Sequence, residues 1–231
     1  GLILHRIQHH HAHLVACLAE NGWPREGGKV AGIVLDGTGL GLDGTVWGGE
    51  VLLGDYLGFE RRAWLKPAPL PGGDQAAAEP WRNALVRLDQ AGLPDWADLL
   101  FPAQNRALLR QAVAAGVNAP FASSAGRLFD AVSACLGLCP DRQSYEGEAA
   151  MRLEAMATAA APWPFDLDGG EIDPAPGFRA LRAGIWPDPA SAAGGFQAGL
   201  AQAFADRARA LVETGEARAI ALSGGCFQNA A

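Results

Sequence analysis

The sequence has little positive charge, few cysteines and no long apolar segment. Its 18 basic residues are outnumbered by 25 acidic ones, which gives a formal net charge of −7, and no basic block is present. Nucleic acid is therefore not an expected partner, because its phosphates are bound mostly by clustered Lys and Arg. No apolar run approaches the roughly 20 residues of a membrane span, and residues 1–13 lack the order of a signal peptide. We expect a cytoplasmic protein with no membrane partner.

The four cysteines show neither the CxxC spacing of a zinc knuckle nor the density of a disulfide scaffold. They are Cys17, Cys135, Cys139 and Cys226, and we expect free thiols. Cys135 and Cys139 fall four apart on a predicted helix, where they could share a metal or sense redox state. Packing as small apolar residues is the preferred interpretation, and we assign the cysteines no role.

The Walker motif of P-loop proteins is also absent. Short apolar runs instead alternate with segments whose apolar residues recur every three or four positions, an order typical of an α/β fold. The predicted strands span 29–36, 45–53, 58–65 and 218–223, with a strand pair within 165–185. The predicted helices span 5–21, 74–91, 104–115, 124–138, 145–160 and 190–215, and 67–73 is predicted to be a loop.

All five histidines lie within the first thirteen residues: His5, His9, His10, His11 and His13. On a helix, His9 and His13 lie one turn apart on one face, about 6 Å along the axis, so both imidazoles can reach one ion at about 2.0 to 2.1 Å. A purification tag and a solvated face are the alternative interpretations. The run is interrupted by Ala12 and continues into an apolar helix, which disfavours a tag. We predict that His9 and His13 are metal ligands.

Two predicted strands end in glycine-rich turns. The first ends at Asp36 and is followed by Gly37, Thr38 and Gly39, where glycine lets backbone N–H groups approach an anion closely. A phosphate or a metal would suit this turn, although for an isolated motif a hairpin turn capped by Asp36 is the preferred interpretation. The last strand opens into residues 223–229. Two such turns hold the nucleotide in sugar kinases, actin and heat-shock ATPases.

Three predicted helix starts carry polar groups that could bind a ligand or could simply cap the helix. They are Asp74 with Glu79 and Arg82, Ser123 and Ser124 with Arg127, and Glu146. For Asp74 an N-cap is slightly favoured. For the two serines, capping and anion binding are equally open, and Glu146 could cap its helix or reach a ribose.

Eight motifs, taken in order, resemble those of the C-terminal module of HypF carbamoyltransferases, and they span nearly the whole chain. They are Gln8–His13, Leu35–Gly41, Trp47–Glu50, Pro69–Asp74, Glu79–Arg82, Ser123–Asp130, Tyr145–Gly147 and Leu222–Asn229. That module is similar to the TsaD proteins of tRNA modification and to antibiotic O-carbamoyltransferases. The resemblance implies an actin-like, sugar kinase-type fold, a duplicated ribonuclease H-like α/β architecture.

The resemblance also implies an activity and a set of site residues. HypF proteins make carbamoyl-adenylate from carbamoyl phosphate and ATP, and pass the carbamoyl group to the C-terminal cysteine of HypE, where it becomes a cyanide ligand of nickel–iron hydrogenase. Carried onto this chain, the catalytic metal ligands are His9, His13 and Asp36, with iron or zinc as the metal. ATP or carbamoyl-adenylate would bind at Gly37, Thr38, Gly39, Gly224, Gly225 and Asn229.

The chain also departs from the pattern of whole HypF proteins. It has no acylphosphatase, zinc-finger or YrdC-like domain, and neither the family's first phosphate loop nor its fourth metal ligand. We expect residues 1–231 to be the central and C-terminal part of the TsaD-like module, with an incomplete fold, a weakened metal site and no synthesis of carbamoyl-adenylate by this chain alone. The rival functions are a sugar kinase-like phosphotransferase and a non-catalytic binding fragment.

Overall fold

The computed structural model describes residues 2–230, which form nine α-helices around one mixed β-sheet of eight strands. The strands are β1 (Val30–Leu40), β2 (Val46–Gly54), β3 (Phe59–Leu65), β4 (Ala68–Pro69), β5 (Phe121–Ala122), β6 (Asp166–Asp168), β7 (Glu171–Asp173) and β8 (Ile220–Ser223). The helices are α1 (His9–Glu20), α2 (Asp74–Ala78), α3 (Pro80–Gln90), α4 (Pro94–Leu100), α5 (Arg106–Ala114), α6 (Ala125–Cys135), α7 (Glu148–Met156), α8 (Ala175–Arg182) and α9 (Pro189–Glu213).

The three longest strands form an antiparallel meander, and β8 adds to it in parallel. β1 pairs with β2, with Ile33 opposite Val51, and β2 pairs with β3. On its other side β1 pairs with β8, with Ile33 opposite Leu222. The resulting order β3-β2-β1-β8, an antiparallel meander followed by a parallel strand, is the ribonuclease H-like arrangement that the resemblance implies.

Both faces of β1 are buried, and this burial sets the direction in which Asp36 points. Successive side chains of a strand lie on opposite faces: Ile33 and Leu35 belong to the main core, whereas Val34 packs with Leu14 of α1. Gly32 lets α1 lie close to the sheet, because a Cβ at Gly32 would be 2.8 Å from Leu14 Cδ1. Asp36 follows on the same face as Gly32 and Val34, so it lies on the α1 side.

The main core fills the opposite face of the sheet, under α3, α6 and α9. Phe178, Phe196 and Phe204 are fully buried there, and the ring of Phe196 makes edge contacts with Phe129 and Trp163. Since burial of a large apolar side chain contributes about 1.5–3 kcal/mol, this layer holds α6 and α9 firmly against β1. Within residues 2–230, no helix is long and apolar enough to span a bilayer.

The predicted strands at 29–36, 45–53, 58–65 and 218–223 are confirmed, as is the long C-terminal helix. The first helix begins at His9, so His5 precedes it. The predicted helix 74–91 is wrong as a single element, since Glu79 leaves the helical conformation, with φ of −124° and ψ of 85°, and Pro80 starts a new helix. Cys135 ends α6 and Cys139 lies beyond it with φ of 45°, so the two cysteines do not share a helix.

Two further predictions need correction, and one helix was missed. The strand pair expected within 165–185 stops at Asp173, and α8 follows from Ala175, with Pro174 as its N-cap and Pro176 in its first turn. The helix Pro94–Leu100 was not predicted, since it spans only two turns. The loop predicted at 67–73 contains the short strand β4, which pairs with β5.

Candidate metal and nucleotide site

Helix α1 and strand β1 bring three predicted ligands together. His9 Nε2 lies 3.0 Å and His13 Nε2 lies 3.2 Å from the same oxygen, Asp36 Oδ2. The two histidines share a face of α1, as their spacing predicts, and β1 delivers the carboxylate beneath them. The structure thus brings both imidazoles to the carboxylate, but the group whose ligand atoms all lie within 4.8 Å of one another is His9, His10 and Asp36. The binding of a metal by His9, His13 and Asp36 stays a prediction.

The chemistry of these donor atoms fits a divalent ion. Two imidazole nitrogens and one carboxylate oxygen form a mixed N/O set of the kind that zinc and non-haem iron accept. Burial opposes ionisation of Asp36, but hydrogen bonds from His9 and from the Gly37 and Gly225 N–H groups hold its pKa below the usual value. The carboxyl group is thus anionic over a wide pH range, as a metal ligand must be.

A third imidazole, His10, lies in the same cluster and was missed by the sequence prediction. One ring nitrogen of His10 lies within 4.8 Å of ligand atoms of His9 and Asp36. The side chain is completely buried, and its Nε2 has no hydrogen-bond partner among residues 2–230. Burial, with a smaller contribution from His9, lowers the pKa of His10 to about 4. The uninterrupted His9–His11 run was the available signal, but the i, i+4 rule selected only His9 and His13.

The remaining histidines take no part in the cluster. His11 lies on another side of α1, where its Nε2 contacts the carbonyl oxygen of Asp55 at 2.8 Å and its ring packs on Phe59. It therefore anchors α1 to the β2–β3 loop. His5 is exposed ahead of the helix.

The segment Gly37–Gly39 differs from its prediction, because it is not a turn. β1 continues through it to Leu40, with an irregular register between Leu35 and Gly39, and the hairpin turn lies further on, at residues 41–44. Gly39 has a structural role here: a Cβ at Gly39 would lie 2.5 Å from His10 Cε1 and 2.6 Å from His9 Cδ2. Thr38 is exposed next to it.

The second glycine segment meets the first beside Asp36, because β1 and β8 are parallel neighbours whose carboxyl ends lie at one edge of the sheet. Gly224 has φ of 105°, and a Cβ there would overlap the carbonyl oxygen of Leu35. Gly225 opens a short 3₁₀ helix, and a Cβ on it would lie 3.2 Å from Asp36 Oδ1. Gly224 is thus required by packing within the protein, whatever ligand binds beside it, whereas a side chain at Gly225 would press on Asp36.

An open cavity of about 300 Å³ lies between α6, α7 and the 3₁₀ helix. Its lining includes Gly126, Glu146, Gly225, Cys226 and Asn229. Asn229 also donates a hydrogen bond of 2.8 Å to Gln197 Oε1. The structure therefore brings Gly225 and Asn229 to one cavity and places the Gly37 strand beside it, since the Cβ position of Gly37 is 4.0 Å from Glu146 Oε1.

The polar groups at the helix starts divide into caps, braces and cavity-lining residues. Ser124 caps α6, and Ser123 instead donates to Glu50 Oε1 at 2.5 Å. Asp74 is the first residue of α2 and follows the N-cap Gly73, so the N-cap prediction for Asp74 is wrong.

Glu146 lines the cavity, and the N-cap of α7 is Gly147. Arg82 pairs with Glu79 at 2.6 Å and contacts the carbonyl oxygen of Pro71, which braces the 71–73 loop.

A buried ion pair that was not predicted from the sequence is connected to the histidine cluster through Trp47. Glu50 is completely buried and accepts a hydrogen bond of 2.6 Å from Arg61 Nε. The Arg61 guanidinium lies 4.0 Å from the centre of the Trp47 ring, and the same ring lies 6.0 Å from that of His10. Burial raises the pKa of Glu50, against the opposing effect of Arg61.

The fold and the site together define an α/β protein of the actin-like, ribonuclease H-like class in which a His/Asp cluster lies beside an open cavity. Residues 32–231 match the family described as "Carbamoyltransferase, Kae1-like Domain, second subdomain". The chain is 68% identical to carbamoyltransferase HypF of Rhodobacter capsulatus, over 99% of this chain and 31% of that protein. It is 39% identical to HypF of Rhizobium leguminosarum bv. viciae, over 96% of this chain and 29% of that protein.

Solved structures agree with this relationship. The crystal structure of full-length HypF in the phosphate- and nucleotide-bound form matches with a TM-score of 0.88 at 32% identity, covering 96% of this chain and 36% of that chain. The crystal structure of T. kodakarensis HypF matches with a TM-score of 0.81 at 33% identity, covering 97% of this chain and 31% of that chain. The chain belongs to the HypF carbamoyltransferase family, which confirms the predicted family and fold class. It spans about a third of the length of these curated relatives.

Proposed function

We propose that this chain carries the carbamoyl-transfer site of a HypF-type enzyme, which moves a carbamoyl group from carbamoyl-adenylate to the C-terminal cysteine of HypE. The convergence of His9 and His13 on one oxygen of Asp36, beside the cavity under Gly225, is the observation that carries the proposal. A sugar kinase-like phosphotransferase would share the glycine segments but would have no use for the histidine pair.

In the proposed step, the thiolate of the acceptor cysteine attacks the carbamoyl carbon. A carbon–sulfur bond forms, the bond from that carbon to the phosphate oxygen breaks, AMP leaves, and the thiol proton passes to solvent. A divalent ion held by His9, His13 and Asp36 would stabilise negative charge on an oxygen of the substrate.

The acceptor thiol comes from outside this chain. Cys226 is the cysteine that lines the cavity, and burial, with a smaller effect from Asp36, raises the pKa of its thiol to about 12. Since the thiolate is the nucleophile, Cys226 is a poor acceptor. A cysteine presented by a partner such as HypE has no such restriction.

The nucleotide is proposed to lie in the cavity beside Gly225 and Asn229, with its phosphates toward the Gly37 to Gly39 strand. A related HypF crystal structure is described as phosphate- and nucleotide-bound, which supports nucleotide binding within the family. The location beside Gly225 and Asn229 rests on the motif resemblance and on the cavity. Parallel strand ends at one sheet edge, as here for β1 and β8, are a common location for ligands in α/β folds.

A transfer assay tests the proposal. The purified protein is supplied with preformed carbamoyl-adenylate, zinc or iron, and a peptide that ends in the HypE cysteine, and S-carbamoyl peptide is measured by mass spectrometry. We expect transfer by the wild type, with at least a tenfold loss in His9→Ala and His13→Ala and little change in His11→Gln. ATP-dependent phosphorylation of a sugar without carbamoyl transfer would instead favour the kinase function.

A further inference from the structure

His10 is unusual among the buried polar side chains of the site. It is completely buried, yet its Nε2 contacts no hydrogen-bond partner in residues 2–230. Leaving a buried donor or acceptor unpaired is costly, so each such group in a native protein needs an explanation, such as a bound water, an ion or a role in catalysis. The position of His10 beside His9 and Asp36 indicates where this partner would lie.

The neighbour Gln8 determines which ring nitrogen of His10 carries the proton. Gln8 Oε1 accepts the backbone N–H of His11 at 2.8 Å, which fixes the orientation of the amide. Gln8 Nε2 is therefore the atom that faces His10 Nδ1, at 3.1 Å. Because an amide nitrogen only donates, Nδ1 must accept, and the proton of the ring lies on Nε2.

This tautomer separates His10 from the two predicted metal ligands. A metal-bound imidazole offers the lone pair of one nitrogen and usually donates from the other. In His10 the lone pair of Nδ1 is engaged by Gln8, and Nε2 carries hydrogen. His10 thus offers the site a hydrogen-bond donor.

We propose that His10 Nε2 donates a hydrogen bond to a negatively charged oxygen of the substrate bound beside Asp36, and that His10 is not a metal ligand. The proposal rests on the proposed function for the identity of the substrate, which offers phosphoryl oxygens and the carbamoyl oxygen. The ring cannot move away easily, since it is held between Gln8, the Gly39 backbone and the Trp47 ring. Its donor is thus oriented before the substrate arrives.

Two substitutions at His10 and one at its neighbour test this assignment. His10→Leu removes the donor and keeps an apolar side chain in the buried space, whereas His10→Gln keeps an N–H donor at similar reach. His11→Gln is the matched control, because His11 is also largely buried but pairs with the Asp55 carbonyl oxygen. Metal content, calorimetric binding of orthophosphate to the metal-loaded protein, and the kcat of carbamoyl transfer are measured for each.

We expect His10→Leu to keep its metal and to lose roughly tenfold or more in phosphate affinity or in kcat, with partial recovery in His10→Gln. A loss in phosphate affinity assigns the bond to a phosphoryl oxygen, and a loss in kcat alone assigns it to the carbamoyl oxygen. Loss of metal in His10→Leu, or wild-type values in both readouts, would overturn the proposal.

A wild type that binds neither metal nor phosphate would instead contradict the proposed function, independently of His10. If His10→Leu does not fold, unchanged phosphate affinity and kcat in His10→Asn, which cannot place a donor at Nε2, would equally overturn it.

Discussion

Ser124 donates a hydrogen bond of 2.5 Å from its Oγ to the carbonyl oxygen of Gly37, 87 residues earlier in the chain. The same Oγ accepts the backbone N–H of Arg127 at 3.0 Å and so caps α6. Gly126 allows the close approach, because a Cβ there would lie 3.0 Å from Gly37 Cα. One side chain thus fastens the start of α6 to the strand that carries Asp36.

Replacing Ser124 by Ala removes both hydrogen bonds. We expect the free energy of unfolding to fall by about 1–2 kcal/mol, measured by urea denaturation. We also expect lower metal occupancy, because the strand that carries Asp36 is no longer fastened to α6. Ser133→Ala is the matched control: it removes a buried bond of 3.0 Å to Ala149, about 13 Å further along the helix. Equal loss of metal in the control would show that stability alone explains the effect.

Gly39→Ala tests the packing of strand β1 against the histidines. The new Cβ would lie 2.5 Å from His10 Cε1, so the rings of His9 and His10 must shift. We expect metal content, measured by mass spectrometry, to fall severalfold. Gly58→Ala should leave it unchanged, since nothing lies within 4 Å of its Cβ position. Wild-type metal content in Gly39→Ala would show that the ring positions do not matter for binding.

Gly225→Val tests the link between the two glycine segments. A Cβ at Gly225 would lie 3.2 Å from Asp36 Oδ1, and the branched side chain would extend into the cavity. We expect weaker binding of ATP analogues and of metal in the same variant, followed by calorimetry and metal analysis. Gly58→Val provides the matched substitution in open space. If Gly225→Val folds and binds ATP analogues with wild-type affinity, the nucleotide lies elsewhere.

Local patterns in the sequence were sufficient to predict part of the site. The i, i+4 spacing of His9 and His13 sets their common face on any helix, and the apolar run before Asp36 predicts a strand end. Both predictions depend on neighbours within a few residues. The meeting of α1 with β1 was accessible only through the family resemblance, because it depends on the contact of Leu14 with Gly32.

The rest of the site depends on contacts between distant segments. Burial of His10 requires Gly39 and Trp47 from the β1–β2 hairpin, and Glu50 is paired by Arg61 of β3 and Ser123 before α6. Such contacts join residues that are distant in the chain, so they leave no periodic pattern in the local sequence. The glycines after Asp36 are as compatible with a turn as with a strand, so the sequence could not distinguish the two. Pairing with β2 keeps Gly39 in the strand.

Asp130 provides a test of buried charge near the cavity. It is 1% exposed, and its Oδ2 lies 2.7 Å from Arg127 Nε, while Gln143 donates to its Oδ1 at 3.0 Å. Burial raises its pKa from the ordinary 3.8 to about 6, although Arg127 and Gln143 act in the opposite direction. Between pH 3.8 and about pH 6, Asp130 is therefore protonated in the folded protein and ionised in the unfolded chain.

The sign of the pH dependence follows from this difference. The stabilisation contributed by protonation of Asp130 is complete below about pH 4 and is lost as the pH rises through about 6. Asp130→Asn cannot titrate, so the wild type should lose stability relative to this variant between pH 4 and pH 7, by on the order of 2 kcal/mol at about 1.4 kcal/mol per pKa unit. Urea denaturation of both proteins across this range measures the difference.

Asp98→Asn is the control, because hydrogen bonding to Arg110 holds the pKa of Asp98 below its usual value. The difference in free energy of unfolding between Asp98→Asn and the wild type should therefore be constant from pH 5 to pH 7. A constant difference between wild type and Asp130→Asn would mean that Asp130 is already ionised at pH 4, with Arg127 outweighing the effect of burial.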